Sequence, residues 1–188
     1  MFVSLRLAAA ALILGLFASP AMAQVDSAES ATTPDAPTEV TPPPADQPGP
    51  VRYASLADAV AAHAVEADLD DETRCMAGAI YFESRGEPLS GQLAVADVIL
   101  NRTRSGRFPT SICSVVTQPS QFSFVRGGRV PDIADCAYYR TAIAVARVAM
   151  ASAWESPAAG ALFFHARRIS PGWHRIKIAA IGNQVFYR

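Results

Sequence analysis

The chain has 188 residues and a formal net charge of -1, but its charges are unevenly distributed. Residues 24–72 contain eleven acidic residues and one basic residue, whereas residues 73–188 contain six acidic and fourteen basic residues. The C-terminal part therefore favours polyanionic partners, although charge alone does not select among them. Because the first third lacks the composition of folded protein, the length leaves room for one domain of ordinary size, which we place at residues 51–188.

The N-terminus has the pattern of a secretory signal peptide. Residues 1–23 combine one basic residue, Arg6, with an apolar run over residues 7–18 and an Ala-x-Ala motif over residues 21–23. The run is too short to cross a bilayer with ease, which disfavours a membrane-anchoring helix. We therefore expect export without membrane insertion of the cleaved chain, with the periplasm as the expected compartment and secretion as the alternative.

The next segment, residues 24–50, is predicted to be a disordered, Pro-rich acidic linker. It contains seven prolines, no aromatic residue, and many Ser, Thr, Ala and acidic residues. Such a composition buries too little apolar surface to offset the entropy of ordering the chain. The prolines favour a partly extended tether that precedes the folded domain.

Five helices are predicted after the linker. Ser55, with Asp58 three residues later, is typical of a capping box and begins an Ala-rich helix over residues 56–69. Acidic residues precede the second helix, and Gly86 is its expected C-terminal stop. The other predicted helices cover residues 74–85, 90–103, 110–116 and 135–154.

Strand patterns occur in two places. Residues 121–130 resemble a small hairpin around a Gly-Gly pair, and the strand-like runs 161–165 and 176–187 are separated by Pro171-Gly172. The mixture of helices with one or two small β-hairpins predicts an α+β domain.

The chain contains three cysteines and three histidines. Without a Cys-x-x-Cys pattern or ligand spacing among the histidines, we expect no metal site. Cys75 begins the second helix and Cys113 lies in the short fourth helix, so a bridge between these two would tie neighbouring elements together in an oxidising compartment. We predict this bridge, which leaves Cys136 free.

Glu83 is the main candidate for chemistry. On the helix of residues 74–85, Met76, Ala79 and Ile80 lie at helical spacing before it, so its carboxyl points along an apolar face. Burial favours the protonated form, which is what a general acid needs. The alternative is an ordinary helix-end glutamate paired with an arginine such as Arg102.

Two other carboxylates lie nearby in sequence. Glu87 is flanked by Gly86 and Pro88, so we expect it to leave the helix and to cap or pair with the next element. Asp97 lies among apolar neighbours in the third helix and is expected to be structural or exposed. A hydrolysis that uses two carboxylates therefore has no evident second partner.

Several separated motifs carry a resemblance over about residues 74–188. They are Tyr81-Phe-Glu-Ser-Arg-Gly-Glu-Pro88, Gly91-Gln92, Ala94-Val-Ala96, Val98-Ile-Leu-Asn-Arg102, Phe108-Pro109, Gln121-Phe-Ser123 and Ile181-Gly182. This pattern resembles the SleB-type cell-wall hydrolase family, known from spore cortex-lytic enzymes. The resemblance implies a lysozyme-like lytic transglycosylase fold, cleavage of the MurNAc–GlcNAc β-1,4 bond in peptidoglycan, and Glu83 as the catalytic residue.

A lytic transglycosylase needs only one such acid. In that reaction the C6 hydroxyl of the muramoyl sugar attacks its own anomeric carbon, so Glu83 can protonate the leaving oxygen and then take the hydroxyl proton. The expected product is a 1,6-anhydro sugar, and no cofactor is needed. The alternatives are a muramidase-type hydrolase that uses water, helped by Glu87 or Asp97, and a non-catalytic peptidoglycan-binding module. The partner is therefore expected to be a glycan strand rather than nucleic acid.

Further site residues follow from motif position. We expect Gln121, Phe122 and Ser123 on the predicted hairpin to contact substrate, although core packing is the stronger expectation for the Phe122 ring. Trp173 is expected to stack on a sugar, and Thr103 to orient a hydroxyl or water.

Three more residues are expected to support Glu83 without contacting substrate. They are Glu87, Asn101 and Arg102. Near the C-terminus, Gln184 stands where the resemblance leads us to expect a histidine, which weakens a catalytic role for that segment.

Overall fold

The structure is a computed structural model that describes residues 51–65 and 68–188. The predicted signal peptide and linker lie outside the described residues. The helices are α1 (Leu56–Ala62), α2 (Asp71–Ser84), α3 (Leu89–Arg104), α4 (Ile112–Val116) and α5 (Ala137–Met150). The strands are β1 (Phe163–Ala166), β2 (Lys177–Ile181) and β3 (Gln184–Tyr187). No helix within the described ranges is both long and apolar enough to cross a membrane.

Side-chain caps determine where three of the helices begin. Ser55 accepts a hydrogen bond from the Asp58 amide at 3.1 Å and begins α1, as the capping pattern predicts. Asp70 does the same for α2 through the Thr73 amide at 2.7 Å, and Ser111, rather than the predicted Thr110, caps α4. The prediction that the first helix reaches residue 69 is wrong, because α1 ends at Ala62.

Helices α2, α3 and α5 pack around the main apolar core. Each large aliphatic side chain that is fully removed from water contributes about 1.5–3 kcal/mol to folding. The large core residues with no exposed surface include Met76, Ile80, Leu93, Ile99, Val145 and Val148. The apolar helical spacing in the sequence therefore locates this core.

A disulfide joins Cys75 of α2 to Cys113 of α4, with the two Cα atoms 5.2 Å apart. Cys136 is a free, half-buried cysteine. The Glu72 carboxylate strengthens the same junction, because it accepts a hydrogen bond from the Ile112 amide at 2.6 Å. The N-terminal end of α2 is thus anchored to α4 by a covalent bond and a polar contact.

Only the tip of the predicted hairpin over residues 121–130 is present in the structure. The segment consists of turns, and its one strand-like feature is an isolated bridge between Arg126 and Arg129 around two glycines. It packs closely on α2 at Gly78, where a Cβ atom would lie 2.5 Å from Val130 Cγ1. The glycine therefore permits the approach that brings this segment near the end of α2.

The C-terminal region forms a three-stranded antiparallel sheet in the order β1-β3-β2. The predicted strand over residues 176–187 is divided into β2 and β3 by a turn at Gly182 and Asn183. Phe186 of the central strand is fully buried in a second apolar cluster with Val95 and Val98 of α3. Helices and a small antiparallel sheet confirm the predicted α+β class.

Candidate active site

Glu83 is the penultimate residue of α2 and is half-buried. Met76, Ala79 and Ile80, which precede it on the same face, have no exposed surface, as their spacing predicts. No described residue makes a hydrogen bond or an ion pair with its carboxyl; the ion pairs within the described ranges are Arg74–Asp71 and Arg140–Asp135. Burial raises the pKa of the Glu83 carboxyl, which favours the protonated acid.

The carboxyl faces a cleft of about 550 Å³ between the helices and the sheet. Helices α2 and α3 supply Glu83 and Arg102, the loop between them supplies Glu87, and the segment after α4 supplies Gln121 and Phe122. The sheet and its loops supply Phe164, His165, Ala166, Arg168, Ile169, Asn183 and Gln184. The cleft thus joins residues that lie about a hundred positions apart in the chain.

Glu87 leaves α2, as predicted, and binds the turn between β2 and β3. Its carboxylate accepts hydrogen bonds from the Asn183 amide at 2.9 Å and from Asn183 Nδ2 at 3.0 Å. A Cβ atom at Gly182 would lie 1.9 Å from Glu87 Oε2, so a side chain there would require this carboxylate to move away from Asn183. Glu87 therefore anchors the turn between β2 and β3 next to the end of α2.

Asn101 and Arg102 attach α3 to the sheet rather than contacting Glu83. Asn101 Nδ2 donates to the Ala161 carbonyl at 3.0 Å, and Arg102 Nε donates to the Leu162 carbonyl at 2.8 Å. These two carbonyls belong to consecutive residues immediately before β1. Two neighbouring side chains of α3 therefore hold the start of this strand. The alternative of a Glu83–Arg102 ion pair is absent from the structure.

The Arg102 guanidinium is buried among aromatic rings at the cleft. Its Cζ lies 4.9 Å from the ring centroid of Phe108, 5.7 Å from that of Phe122 and 5.9 Å from that of Phe163. Burial lowers the pKa of Arg102 to about 10. No acidic side chain in the described ranges forms an ion pair with it. The cleft therefore contains a cation without a counter-ion as well as an acid without a partner.

The structure places only part of the Gln121–Ser123 motif at the cleft. Gln121 is exposed and lines it, and Phe122 lines it while being only 6% exposed, which fits the expectation of core packing. Ser123 is exposed and is not among the lining residues. Thr103 also lies outside the lining. Its hydroxyl donates to the Leu100 carbonyl of its own helix at 2.8 Å.

Trp173 belongs to an aromatic cluster beside the cleft rather than to its lining. Its ring centroid is 5.5 Å from His165, 5.9 Å from Tyr187 and 6.1 Å from Phe163. His165 does line the cleft, and its Nε2 lies 3.0 Å from the Tyr187 hydroxyl. Trp173 is 41% exposed, which leaves one ring surface open beyond this cluster.

Gln184, whose segment we discounted because a histidine was expected at this position, lies at the cleft. It is 6% exposed, lines the cleft and donates from Nε2 to the Glu83 carbonyl at 2.8 Å. The Gly182-Asn183 turn after an apolar run was the available signal, because it predicts a strand end close to other loops. No group of three or more His, Cys, Asp or Glu side chains in the described ranges could hold a metal ion.

Comparisons with known proteins identify the family and support the fold. The Cell Wall Hydrolase family pattern matches residues 86–187. The catalytic domain of the germination-specific lytic transglycosylase SleB from Bacillus anthracis is 33% identical, with a TM-score of 0.54, over 66% of this chain and 100% of that domain. The catalytic domain of SleB from Bacillus cereus is 31% identical, with a TM-score of 0.52, over 66% of this chain and 96% of that domain.

Two longer relatives are spore cortex-lytic enzymes. The enzyme from Bacillus subtilis is 35% identical over 69% of this chain, and the enzyme from Halalkalibacterium halodurans is 37% identical over 62%. The matched region spans 41% and 34% of the length of these two relatives. Because the family pattern covers more than half of the chain, the protein belongs to the cell wall hydrolase family.

Proposed function

We propose that the protein is an exported peptidoglycan-cleaving glycosidase in which Glu83 is the general acid and base. The observation that carries this proposal is the environment of Glu83, a half-buried carboxyl without a partner that opens onto a cleft. Burial raises the pKa of this carboxyl and so favours the protonated acid, which can protonate a glycosidic oxygen as the bond breaks. The resemblance to catalytic domains of SleB supports a glycan strand as the substrate.

The arrangement of the other carboxylates favours a lytic transglycosylase. Glu87 lines the same cleft but both its oxygens accept hydrogen bonds from Asn183. Asp97 lines a different cavity, with Trp154 and Ser156, and is absent from the residues that line the Glu83 cleft. The absence of Asp97 from the cleft and the contacts of Glu87 with Asn183 support a mechanism that uses one carboxylate.

The proposed reaction uses one residue in two steps. Glu83 first donates its proton to the oxygen that links the muramoyl anomeric carbon to the next sugar, and this bond breaks. The resulting carboxylate then accepts the proton of the muramoyl C6 hydroxyl, whose oxygen bonds to the same anomeric carbon. The products are a 1,6-anhydromuramoyl end and a free 4-hydroxyl, and Glu83 is protonated again.

The decisive experiment compares Glu83→Gln with Glu87→Gln on purified peptidoglycan. Glu83→Gln keeps the size and polarity of the side chain but removes the transferable proton, so product release should fall by at least about 100-fold. Glu87→Gln should retain much more activity, because Glu87 acts through the sheet. Full activity in Glu83→Gln would refute the proposal.

Mass spectrometry of the released fragments separates the two enzymatic mechanisms. A lytic transglycosylase yields anhydro ends, which are lighter by one water than the reducing ends that a hydrolase leaves. Reducing ends alone would replace the transglycosylase with a muramidase-type hydrolase and keep Glu83 as the acid. Binding to peptidoglycan without any release by the wild-type protein would support a non-catalytic binding module instead.

A further inference from the structure

A cavity of about 690 Å³ lies at the N-terminal end of α2, beside the disulfide between Cys75 and Cys113. Its lining contains three arginines and two aspartates, which are Arg74, Arg126, Arg129, Asp71 and Asp132. All five of these residues are exposed. Among the described residues, none lines both this basic cavity and the Glu83 cleft, so the two sites are separate.

The charges of the basic cavity are only partly paired with one another. Arg74 Nε lies 4.0 Å from Asp71 Oδ1, which is a long contact between exposed groups. Arg126 Nη1 donates to two backbone carbonyls of its own segment and to no carboxylate. Arg129 and Asp132 form no ion pair with a described residue. The cavity therefore offers both cationic donors and an anionic acceptor to a ligand.

The segment of residues 121–132 connects the basic cavity to the cleft. It begins in the lining of the cleft and ends in the lining of the cavity. Between these ends, the Phe124 ring stacks on Phe82 with centroids 4.7 Å apart, and Val130 packs closely on Gly78. Phe82 and Gly78 lie about one helical turn apart, and the cavity lies about one further turn towards the start of α2. The segment therefore follows one side of α2 from the cleft to the cavity.

The separation of the two sites suits a peptide that is attached to a sugar in the cleft. Glu83 follows Arg74 by nine positions, which corresponds to about 13 Å along the axis of α2. In peptidoglycan, each muramoyl sugar carries a short stem peptide on its lactyl group. When extended, about four residues span about 13–14 Å. A stem that leaves the cleft along residues 121–132 therefore reaches the basic cavity.

The charges of the basic cavity also match a stem peptide. Such a peptide carries several carboxylates and, at an uncrosslinked diamino acid, one ammonium group. Arginines bind carboxylates through charge-assisted hydrogen bonds, and an aspartate does the same for an ammonium group. A uniform polyanion such as nucleic acid would be repelled by Asp71 and Asp132. The stem carboxylates also account for the excess of basic residues in 73–188, which a neutral sugar backbone does not require.

We propose that the basic cavity binds the stem peptide of the muramoyl sugar that is held in the cleft. Arg126 and Arg129 donate to carboxylates of the stem, and Asp132 accepts from its ammonium group. This inference rests on the proposed function and adds a preference for glycan strands that carry stem peptides. Because the contacts are exposed, each contributes little alone, and the preference decreases as the salt concentration rises.

The first test uses the unaltered protein and soluble, uncrosslinked glycan strands in two forms. One form carries its stem peptides, and an amidase has removed them from the other. At low salt we expect kcat/KM to be at least about fivefold higher for the form with stems, mainly through KM, and this preference to decrease at high salt. Equal values at low salt, or a preference that salt does not change, would overturn the inference. No cleavage of either form would refute the proposed function instead.

The second test compares Arg129→Gln with Arg140→Gln. The exposed Arg129 contacts Arg126 through backbone atoms alone, at 3.0 and 3.1 Å, so its side chain can be replaced without loss of the turn. Arg140 is a matched control, because it is also exposed and carries the same charge, but it pairs with Asp135 and lies outside the cavity. Arg129→Gln should reduce the preference for stem-bearing strands about two- to fivefold, and Arg140→Gln should keep it.

The comparison between the variants isolates the cavity from other effects of the amidase. The amidase leaves a lactyl carboxylate on the muramoyl sugar, and this change is the same for both variants. Thermal unfolding shows whether each variant folds, and the salt dependence in the wild-type protein needs neither variant. A purely structural Arg129 would lower kcat/KM equally for both forms of glycan. A preference that persists in folded Arg129→Gln, or that falls equally in both variants, would overturn the role of the basic cavity.

Discussion

The helical region and the sheet are held in place by different kinds of interaction. Helices α2, α3 and α5 bury a continuous apolar core, and a disulfide joins α2 to α4. The sheet buries Phe186 against α3, but its edges and turns are fixed by single polar contacts to Glu83, Glu87, Asn101 and Arg102. Changes in the helical region should therefore affect stability most, whereas changes at these contacts should affect activity most.

The largest expected effect on stability comes from removing the disulfide. In Cys75→Ala/Cys113→Ala, the loss of a crosslink between residues 38 positions apart should lower the free energy of unfolding by about 4 kcal/mol in the chain-entropy model. Chemical denaturation measures this change, and Cys136→Ala is the control. The protein that remains folded should keep its activity per molecule. A large loss of that specific activity would contradict the division between the two regions.

The next effect concerns Gly182→Ala. Gly182 has φ of 54°, and a Cβ atom there would overlap Glu87 Oε2. We expect a loss of about 2–3 kcal/mol in stability, together with a fall in activity as the turn moves. Gly106→Ala is the matched control, because Gly106 also has a positive φ, 67°, but nothing lies within 4 Å of its Cβ position.

Gly106→Ala should cost only about 1 kcal/mol, from backbone strain alone. Denaturation curves and release assays on the two variants separate the effect of backbone strain from the effect of the overlap with Glu87. Equal effects of the two substitutions would show that the contact between Gly182 and Glu87 is unimportant.

A smaller effect is expected for Glu87→Gln. The new amide can accept from only one of the two Asn183 donors, because its nitrogen is itself a donor. Stability should fall by about 1 kcal/mol. Activity should fall several-fold, far less than in Glu83→Gln. A loss of activity as large as that of Glu83→Gln would place Glu87 in the chemistry.

The smallest effect is a pH-dependent gain in stability in Glu83→Gln. Because burial raises the pKa of Glu83 in the folded state, its contribution to stability is complete below about pH 4 and is lost as the pH rises through the raised value. Glutamine has no charge to bury. The variant should therefore match the wild type at acidic pH and exceed it at neutral pH. A difference that does not change with pH would contradict the buried, unpaired state of Glu83.

The helical region could be predicted from the sequence largely because its signals are local. These signals are the caps at Ser55 and Asp70 and the apolar spacing before Glu83. Each depends on residues within one or two helical turns. The sheet was predicted less well, because the division of residues 176–187 depends on where the Gly182 turn meets Glu87. Of the hairpin predicted at residues 121–130, only the Arg126–Arg129 bridge forms, and turns replace the strands on either side of it.

The site shows the same limit. Glu83 could be selected from its own helix together with the motif resemblance, but Gln184 contacts it from 101 positions away. Thr103 was placed in the site by motif position, although its hydroxyl is used within its own helix. Contacts between distant segments leave no periodic pattern in either segment, so only the assembled fold reveals them.

Glu83 lies in the last turn of α2, where the helix dipole acts on its carboxyl. The aligned peptide dipoles of a helix place about half a negative charge at its C-terminal end. Asp71 and Glu72 suit the opposite end, whereas the last turn contains Glu83 and no basic residue to offset that charge. The helix dipole therefore disfavours the ionised form of Glu83, in the same direction as burial.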